Sequence, residues 1–253
     1  MAKYPWKTAW VTGASGGIGV PFVTQLAAHG VAVAATARDR ANLDALAKAH
    51  AGVGVYPADV LAPDSLKAAV ESIEKELGPI DLAVVGAGMY APFDFRAIDL
   101  DGFHRSMRLN VDGAINTIAA VLPSMLERRG GHIAIMGSLF GYSGWPENGS
   151  YGASKAAVIN LAESLKLELE GTGVDLTLIS PGFVDTPLNA AYAREKKHYL
   201  MTPSKAVRRI LARLGDKPYE IAFPGRVAFF LKLVRSLPRR ISFPLIGWYT
   251  RRR

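Results

Sequence analysis

The sequence predicts a single doubly wound α/β domain, a parallel sheet with helices on both faces, followed by a basic, apolar C-terminal extension. Three observations carry this. Short, nearly all-apolar runs alternate with longer segments of helical periodicity, the pattern of a buried parallel sheet. The chain has 253 residues, 49% apolar and 21% charged, which suffices for a sizeable core and excludes a disordered or fibrous chain. A glycine-rich turn stands where the first strand gives way to the first helix.

In chain order, Thr8–Thr12 reads as a strand, with a helix from about Ile18 to His29 after the turn. Val31–Ala37 is a second strand, Arg40–Ala49 a helix and Val53–Ala58 a third strand. Asp64–Leu77 places Leu66, Val70, Ile73 and Leu77 at helical spacing. Ile80–Val85 and His132–Gly137 follow as strands, with a helix-rich stretch from Asp101 to Arg128 between them. A helix from Ser150 to Glu170 and a strand from Val174 to Ser180 come next. Asn189–Asp216 reads as polar, helical and mobile, and Tyr219–Phe223 as a last strand. No linker or repeat interrupts the first 180 residues, so residues 1–220 are expected to form the domain and 221–253 an appended segment.

Composition narrows the function. With no cysteine, disulfides, thiol nucleophiles and cysteine-ligated metal centres are excluded. Neither a signal-like start nor an 18-residue apolar run is present, so the expected location is cytoplasmic. The five histidines (His29, His50, His104, His132, His198) lack metal-ligand spacing, and no metal site is expected. The net charge is +8, yet eight of the 30 Lys and Arg and none of the 22 Asp and Glu fall in 221–253. The rest of the chain is neutral, so no nucleic-acid partner is expected. In the tail, Phe229, Phe230, Leu233, Val234 and Leu237 alternate with Lys232, Arg235, Arg239 and Arg240, before Trp248, Tyr249 and Arg251, Arg252 and Arg253. Such a segment can lie on an anionic membrane, at its inner face, or pack as a helix on the domain or a second subunit.

Two motifs point to chemistry. Thr12-Gly13-Ala14-Ser15-Gly16-Gly17-Ile18-Gly19 lies between the first strand and the first helix. Glycine permits close backbone approach and positive φ, and the helix start offers N–H groups to a pyrophosphate. Further on, Tyr151-Gly152-Ala153-Ser154-Lys155 puts Tyr151 and Lys155 on one helix face. An ammonium beside a phenol lowers its pKa from about 10 toward the range useful for proton transfer.

Together these motifs resemble the short-chain dehydrogenase/reductase family in its compact form, with a Rossmann-type fold, from about Thr8 to Pro187. The resemblance implies that Gly13, Ser15, Gly16, Gly17, Ile18 and Gly19 bind the cofactor, with Asp59 and Val60 at the adenine. Gly86, Ala87 and Gly88 would sit near the adenosine ribose, and Pro181, Gly182, Val184 and Thr186 would close over the nicotinamide. Asn110, Ser138, Tyr151 and Lys155 match the catalytic set. In these roles Tyr151 is the general acid or base, Ser138 polarises the carbonyl, Lys155 lowers the Tyr151 pKa and holds the ribose, and Asn110 anchors a proton-relay water. One departure stands out: Val85-Gly86-Ala87-Gly88 replaces the family's N-N-A-G, removing a side chain that braces the central strands.

After the second strand, Ala37 occupies the family's acidic position and Arg38 the position that meets a 2′-phosphate, which favours NADP(H) over NAD(H). Asp39 is expected to cap the next helix. The resemblance places the substrate pocket at Leu139, Phe140, Trp145, Phe183, Leu188 and Tyr192. That lining is apolar and implies a hydrophobic ketone, aldehyde or secondary alcohol. A 3-oxoacyl thioester reductase, using Arg194, Lys196 and Lys197 on an acidic carrier, is an alternative, as is a catalytically idle NADP-binding regulator. The family's habit implies a homodimer or homotetramer, with Ala153, Ala156 and Ala157 allowing close helix contact.

Overall fold

The structure, a computed structural model, describes residues 4–186 and 200–251. Its strands are β1 (Thr8–Thr12), β2 (Ala32–Thr36), β3 (Val53–Val55), β4 (Leu82–Val85), β5 (Gly131–Met136), β6 (Val174–Pro181) and β7 (Glu220–Phe223). They form one sheet in the order β3-β2-β1-β4-β5-β6-β7, with every neighbouring pair parallel. Parallel neighbours cannot be joined by a tight turn, so the connecting helices cover both faces. They are α1 (Gly19–Ala27), α2 (Arg40–Ala49), α3 (Pro63–Leu77), α4 (Leu100–Met107), α5 (Gly113–Glu127), α6 (Gly149–Glu168) and α7 (Pro203–Leu214). Two more, α8 (Gly225–Ser236) and α9 (Arg239–Arg251), follow the last strand.

Alternation along each strand builds a core on each face. Trp10 of β1 joins Leu66, Val70 and Ile73 of α3, Ile118, Val121 and Met125 of α5, Val158 and Ile159 of α6, and Ala228 and Leu231 of α8. Ala9 and Val11 face the other way, onto Phe22, Val23 and Leu26 of α1, Leu43 and Leu46 of α2, and Val207, Ile210, Leu211 and Leu214 of α7. The buried Trp10 indole donates to Thr36 Oγ1 at 2.9 Å, which avoids the roughly 1–3 kcal/mol cost of an unsatisfied buried donor.

The expected elements are present, with four differences. β3 ends at Val55, although Tyr56 and Ala58 still donate to the Ala35 and Ala37 carbonyls of β2. The stretch expected over Asp101–Arg128 is two α-helices joined by a π-turn, Arg108–Asp112. Residues 187–199 lie outside the described residues, but α7 is no loosely held segment: Ala206, Val207, Ile210, Leu211 and Leu214 are buried, and Gln25 Nε2 of α1 donates to the Ser204 carbonyl at 2.9 Å. Ile221–Phe223 complete the sheet, so the helical extension starts at Gly225 and not at Ile221. The helical stretch Leu100–Glu127 has the length and mean hydropathy, 1.2, to cross a membrane, but α4 and α5 within it pack against α6 and α3 of the domain.

Candidate active site

All parallel strands deliver their C-terminal ends to one edge, and the strand order reverses between β1 and β4. A crevice outside that edge at such a reversal is where open α/β sheets bind ligands. Here it is a cleft of about 850 Å³. Gly13, Ser15, Gly16, Gly17, Ile18 and Gly19 line it after β1, and Ala37, Arg38 and Asp39 after β2. Ala58, Asp59 and Val60 line it after β3, Gly86, Ala87 and Gly88 after β4, and Tyr151, Lys155, Pro181 and Thr186 close it.

The glycine turn is dictated by space. Gly13 has φ +69°, and a Cβ there would lie 2.9 Å from Ala87 Cα; a Cβ on Gly19 would lie 2.1 Å from the Gly13 carbonyl oxygen. The turn can therefore fold tightly against the β4 loop only as glycine. Ile18, which precedes α1, gives it no side-chain cap, and the first turn of the helix holds no acidic residue. By contrast, α2, α4 and α7 are capped by Asp39, Asp99 and Thr202. The first-turn N–H groups of α1 thus suit an anionic group in the cleft. The brace expected to be lost at Gly86 is supplied otherwise: Thr12 Oγ1 accepts from Gly86 N at 3.1 Å and donates to the Val84 carbonyl at 3.3 Å.

At the far end, Ser138 begins a 3₁₀ turn, Leu139–Gly141, and its Oγ accepts from Phe140 N at 3.2 Å. Ser138 also hydrogen-bonds the Tyr151 side chain. Burial pushes the Tyr151 phenol up from its usual range, the Ser138 hydrogen bond opposes that rise, and the neighbouring Tyr90 adds to it. Lys155 is buried, with Nζ 5.8 Å from the Tyr151 ring centre, and donates to the Met136 carbonyl at 2.8 Å. Burial lowers its pKa to about 8. Lys155 is not among the groups that move the Tyr151 phenol in this geometry.

Asn110 sits in the π-turn behind Gly88 and does not line the cleft. Its Oδ1 accepts from Met89 N at 2.8 Å, and its Nδ2 donates to the Met89 carbonyl at 2.9 Å and to Ser154 Oγ at 2.8 Å. The side chain holds the β4 loop against α6.

The described residues expected to wall the substrate do not line this cleft. Leu139 is a core residue and not a cleft wall. Phe140, Trp145 and Phe183 form an aromatic cluster beside Ser138, with centroids 6.4 Å (Phe140–Trp145) and 5.4 Å (Phe140–Phe183) apart, and none lines the cleft. Gly182 and Val184 also lie off its wall. Leu188, Tyr192, Arg194, Lys196 and Lys197 lie outside the described residues. Sequence reasoning missed Tyr90, whose ring meets Tyr151 edge-on at 5.5 Å and whose hydroxyl donates to the Glu147 carbonyl at 3.3 Å. The only signal for it was an aromatic two residues after Gly88. Among the described residues no cluster of metal-ligating side chains occurs.

A parallel sheet that reverses at β1 and β4, with a glycine turn and an uncapped helix start at the reversal, defines the class of dinucleotide-binding α/β proteins. Comparison with known proteins makes this specific. A model of the short chain dehydrogenase family matches residues 7–197. The chain is 36% identical over 243 residues to an oxidoreductase of Myxococcus xanthus, covering 94% of this chain and 95% of that one. It is 39% identical over 194 residues to an oxidoreductase of Staphylococcus saprophyticus, covering 75% and 83%. Among solved structures, a short-chain dehydrogenase of Streptomyces avermitilis superposes with TM-score 0.81 at 26% identity, covering 97% and 96%. A Burkholderia phymatum short-chain dehydrogenase/reductase in complex with NAD shares the fold at TM-score 0.82 and 22% identity, covering 92% and 94%. The chain belongs to the short-chain dehydrogenase/reductase family. It is an oxidoreductase of the CH–OH/C=O type whose fold binds a nicotinamide cofactor.

Proposed function

We propose that this protein is an NADP(H)-dependent oxidoreductase that interconverts a hydrophobic ketone or aldehyde and the corresponding alcohol, with Tyr151 as general acid and base. The observation that carries the reading is that Tyr151 and Lys155 line the same cleft as the glycine turn, with Ser138 against Tyr151. In this reading the domain through β7 binds and catalyses, and the helices from Gly225 on are appended to it; the place of action is the cytoplasm.

The residues present fit the nicotinamide dinucleotide. Gly13, Gly16, Gly17 and the start of α1 would hold the pyrophosphate, Asp59 and Val60 the adenine, and Lys155 the nicotinamide ribose. When bound, the cofactor donates or accepts the hydride. Ser138 holds and polarises the carbonyl oxygen. Because burial raises the Tyr151 phenol, Tyr151 carries its proton at neutral pH and can deliver it to that oxygen during reduction. Asn110 acts as a positioning residue, through Met89 and Ser154.

NADP is favoured by the residues after β2. Ala37 offers no carboxylate to a 2′-hydroxyl, and Arg38 is exposed on the cleft rim. Asp39 is engaged in capping α2, with Asn42 N and Nδ2 at 3.2 and 2.7 Å from its two carboxylate oxygens, so it does not neutralise the guanidinium by pairing with it. The aromatic cluster beside Ser138 supports an apolar substrate. Ala153 and Ala156, exposed on α6, support a homodimer or homotetramer.

The test is NADPH and NADH consumption against a panel of apolar ketones and aldehydes, with wild type and Tyr151→Phe. The variant is expected to keep NADPH binding, measured by cofactor fluorescence, and to lose roughly 10²–10⁴-fold in turnover. Wild-type rates in the variant, or NADPH binding without turnover of any substrate by the wild type, would overturn the catalytic reading; the second result would favour a regulator.

A further inference from the structure

The C-terminal helices carry charge and apolar surface that the oxidoreductase site does not use. α8 has two apolar faces. One, with Ala228, Leu231 and Val234, is buried against the domain. The opposite one presents Phe229, 71% exposed, and Leu233, 48% exposed, one turn apart, with Arg226 at the same azimuth. α9 repeats the arrangement: Ser242 and Ile246 are buried, whereas Ile241 and Phe243 are exposed, Phe243 by 64%. Arg239 and Arg240 lie at the junction of the two helices, both exposed, and Arg239 stands 6.0 Å over the Phe243 ring.

The basic residues divide into two groups. Lys232 and Arg235 tie α8 to the body by ion pairs with Glu220 and Glu163. Arg226, Arg239 and Arg240 have no ion pair among the described residues, and 221–253 contain no Asp or Glu that could take that part.

We propose that this outer surface of α8 and α9 docks the enzyme on the headgroup layer of an anionic lipid membrane, with Phe229, Leu233, Ile241 and Phe243 entering the interface and the arginines meeting lipid phosphates. Charge complementarity selects this occupant. A second copy of the same surface, related by a two-fold axis, would bring arginine against arginine with no carboxylate between them. A nucleic acid would match the charge but leave the large apolar side chains without cover. A lipid interface satisfies both at once. α8 is held on the domain by its other face, so docking needs no unfolding of that helix.

The experiment is co-sedimentation of the full chain with phosphatidylcholine vesicles, with and without about 30 mol% phosphatidylglycerol. Three proteins are compared: wild type, Phe229→Ser with Phe243→Ser, and Arg239→Glu with Arg240→Glu. Wild type is expected to bind the anionic vesicles, to bind neutral ones at least about 10-fold more weakly, and to be released by salt. Each double variant is expected to lose about 10-fold or more in vesicle affinity. Thermal unfolding and NADPH binding in solution should stay unchanged, since neither pair touches the cleft or the core. Three results would overturn the proposal: equal binding to neutral and anionic vesicles or to neither; vesicle binding indifferent to both double variants; or self-association in sedimentation velocity that the Phe229→Ser, Phe243→Ser variant abolishes. Failure of NADPH turnover would leave this result untouched, so the two readings fall separately.

Discussion

Arg38 shows how much of the cofactor reading rests on single side chains. A charge-assisted hydrogen bond contributes about 1.5–3 kcal/mol, and each 1.4 kcal/mol is tenfold in affinity. Arg38→Ala is therefore expected to raise the KM for NADPH about 10- to 100-fold while leaving that for NADH nearly unchanged; parallel changes for both cofactors in steady-state assays would contradict a 2′-phosphate contact. The same scale separates what sequence can and cannot disclose. Asp39 as a helix cap was legible, because the cap and its acceptor geometry are local. The clamp made by Asn110 was not, because Met89 lies 21 residues away and Ser154 lies 44 residues away in sequence. The raised Tyr151 phenol was hidden too, since burial is a property of the folded surroundings and not of the four-residue spacing to Lys155.

The elements of the sheet were readable from the sequence because buried parallel strands leave little choice of residue. β1 was placed to the residue, and α2 likewise. α7 was underestimated even though Ala206, Val207, Ile210, Leu211 and Leu214 stand at helical spacing along one face; the surrounding polar residues masked that pattern. The π-turn at Arg108–Asp112 had no periodicity to announce it, being a single wide turn within a long helical stretch. Between β1 and β4, the Thr12 hydroxyl joins two strands that pair in register through Ala9–Leu82, Trp10–Ala83 and Val11–Val84. Thr12→Val keeps the shape and removes the bridge, so Gly86 N–H loses its acceptor. The expected cost is roughly 1–3 kcal/mol in urea unfolding; an unchanged midpoint would show that the strands need no such brace.

For the whole molecule, the informative titrating group is His132 on β5. It is buried, and its Nε2 lies 2.8 Å from Thr177 Oγ1, whose own hydroxyl donates to the Pro218 carbonyl at 2.6 Å. Thr177 has one proton to give, so it accepts from His132 and fixes the neutral Nε2–H tautomer. Burial lowers the His132 pKa from 6.5 to about 4. Between those values the unfolded chain binds a proton that the folded chain refuses, so stability is complete above about pH 6.5 and falls as pH drops toward 4. The loss amounts to about 3 kcal/mol at most. Denaturation at pH 7 and pH 4.5 should show this slope in wild type, and His132→Gln, which can still donate to Thr177, should flatten it; an identical slope in both would assign acid sensitivity elsewhere.

The packing of α1 on α7 also governs when the protein can finish folding. α1 leaves the ribosome well before the partner that covers it, through Gln25 and Ser204, which is made 179 residues later. At about 5–20 residues per second, that helix waits roughly 10–40 s with an apolar face uncovered. The glycine turn at its start is therefore among the first parts of the cofactor site to be synthesised and among the last to be secured.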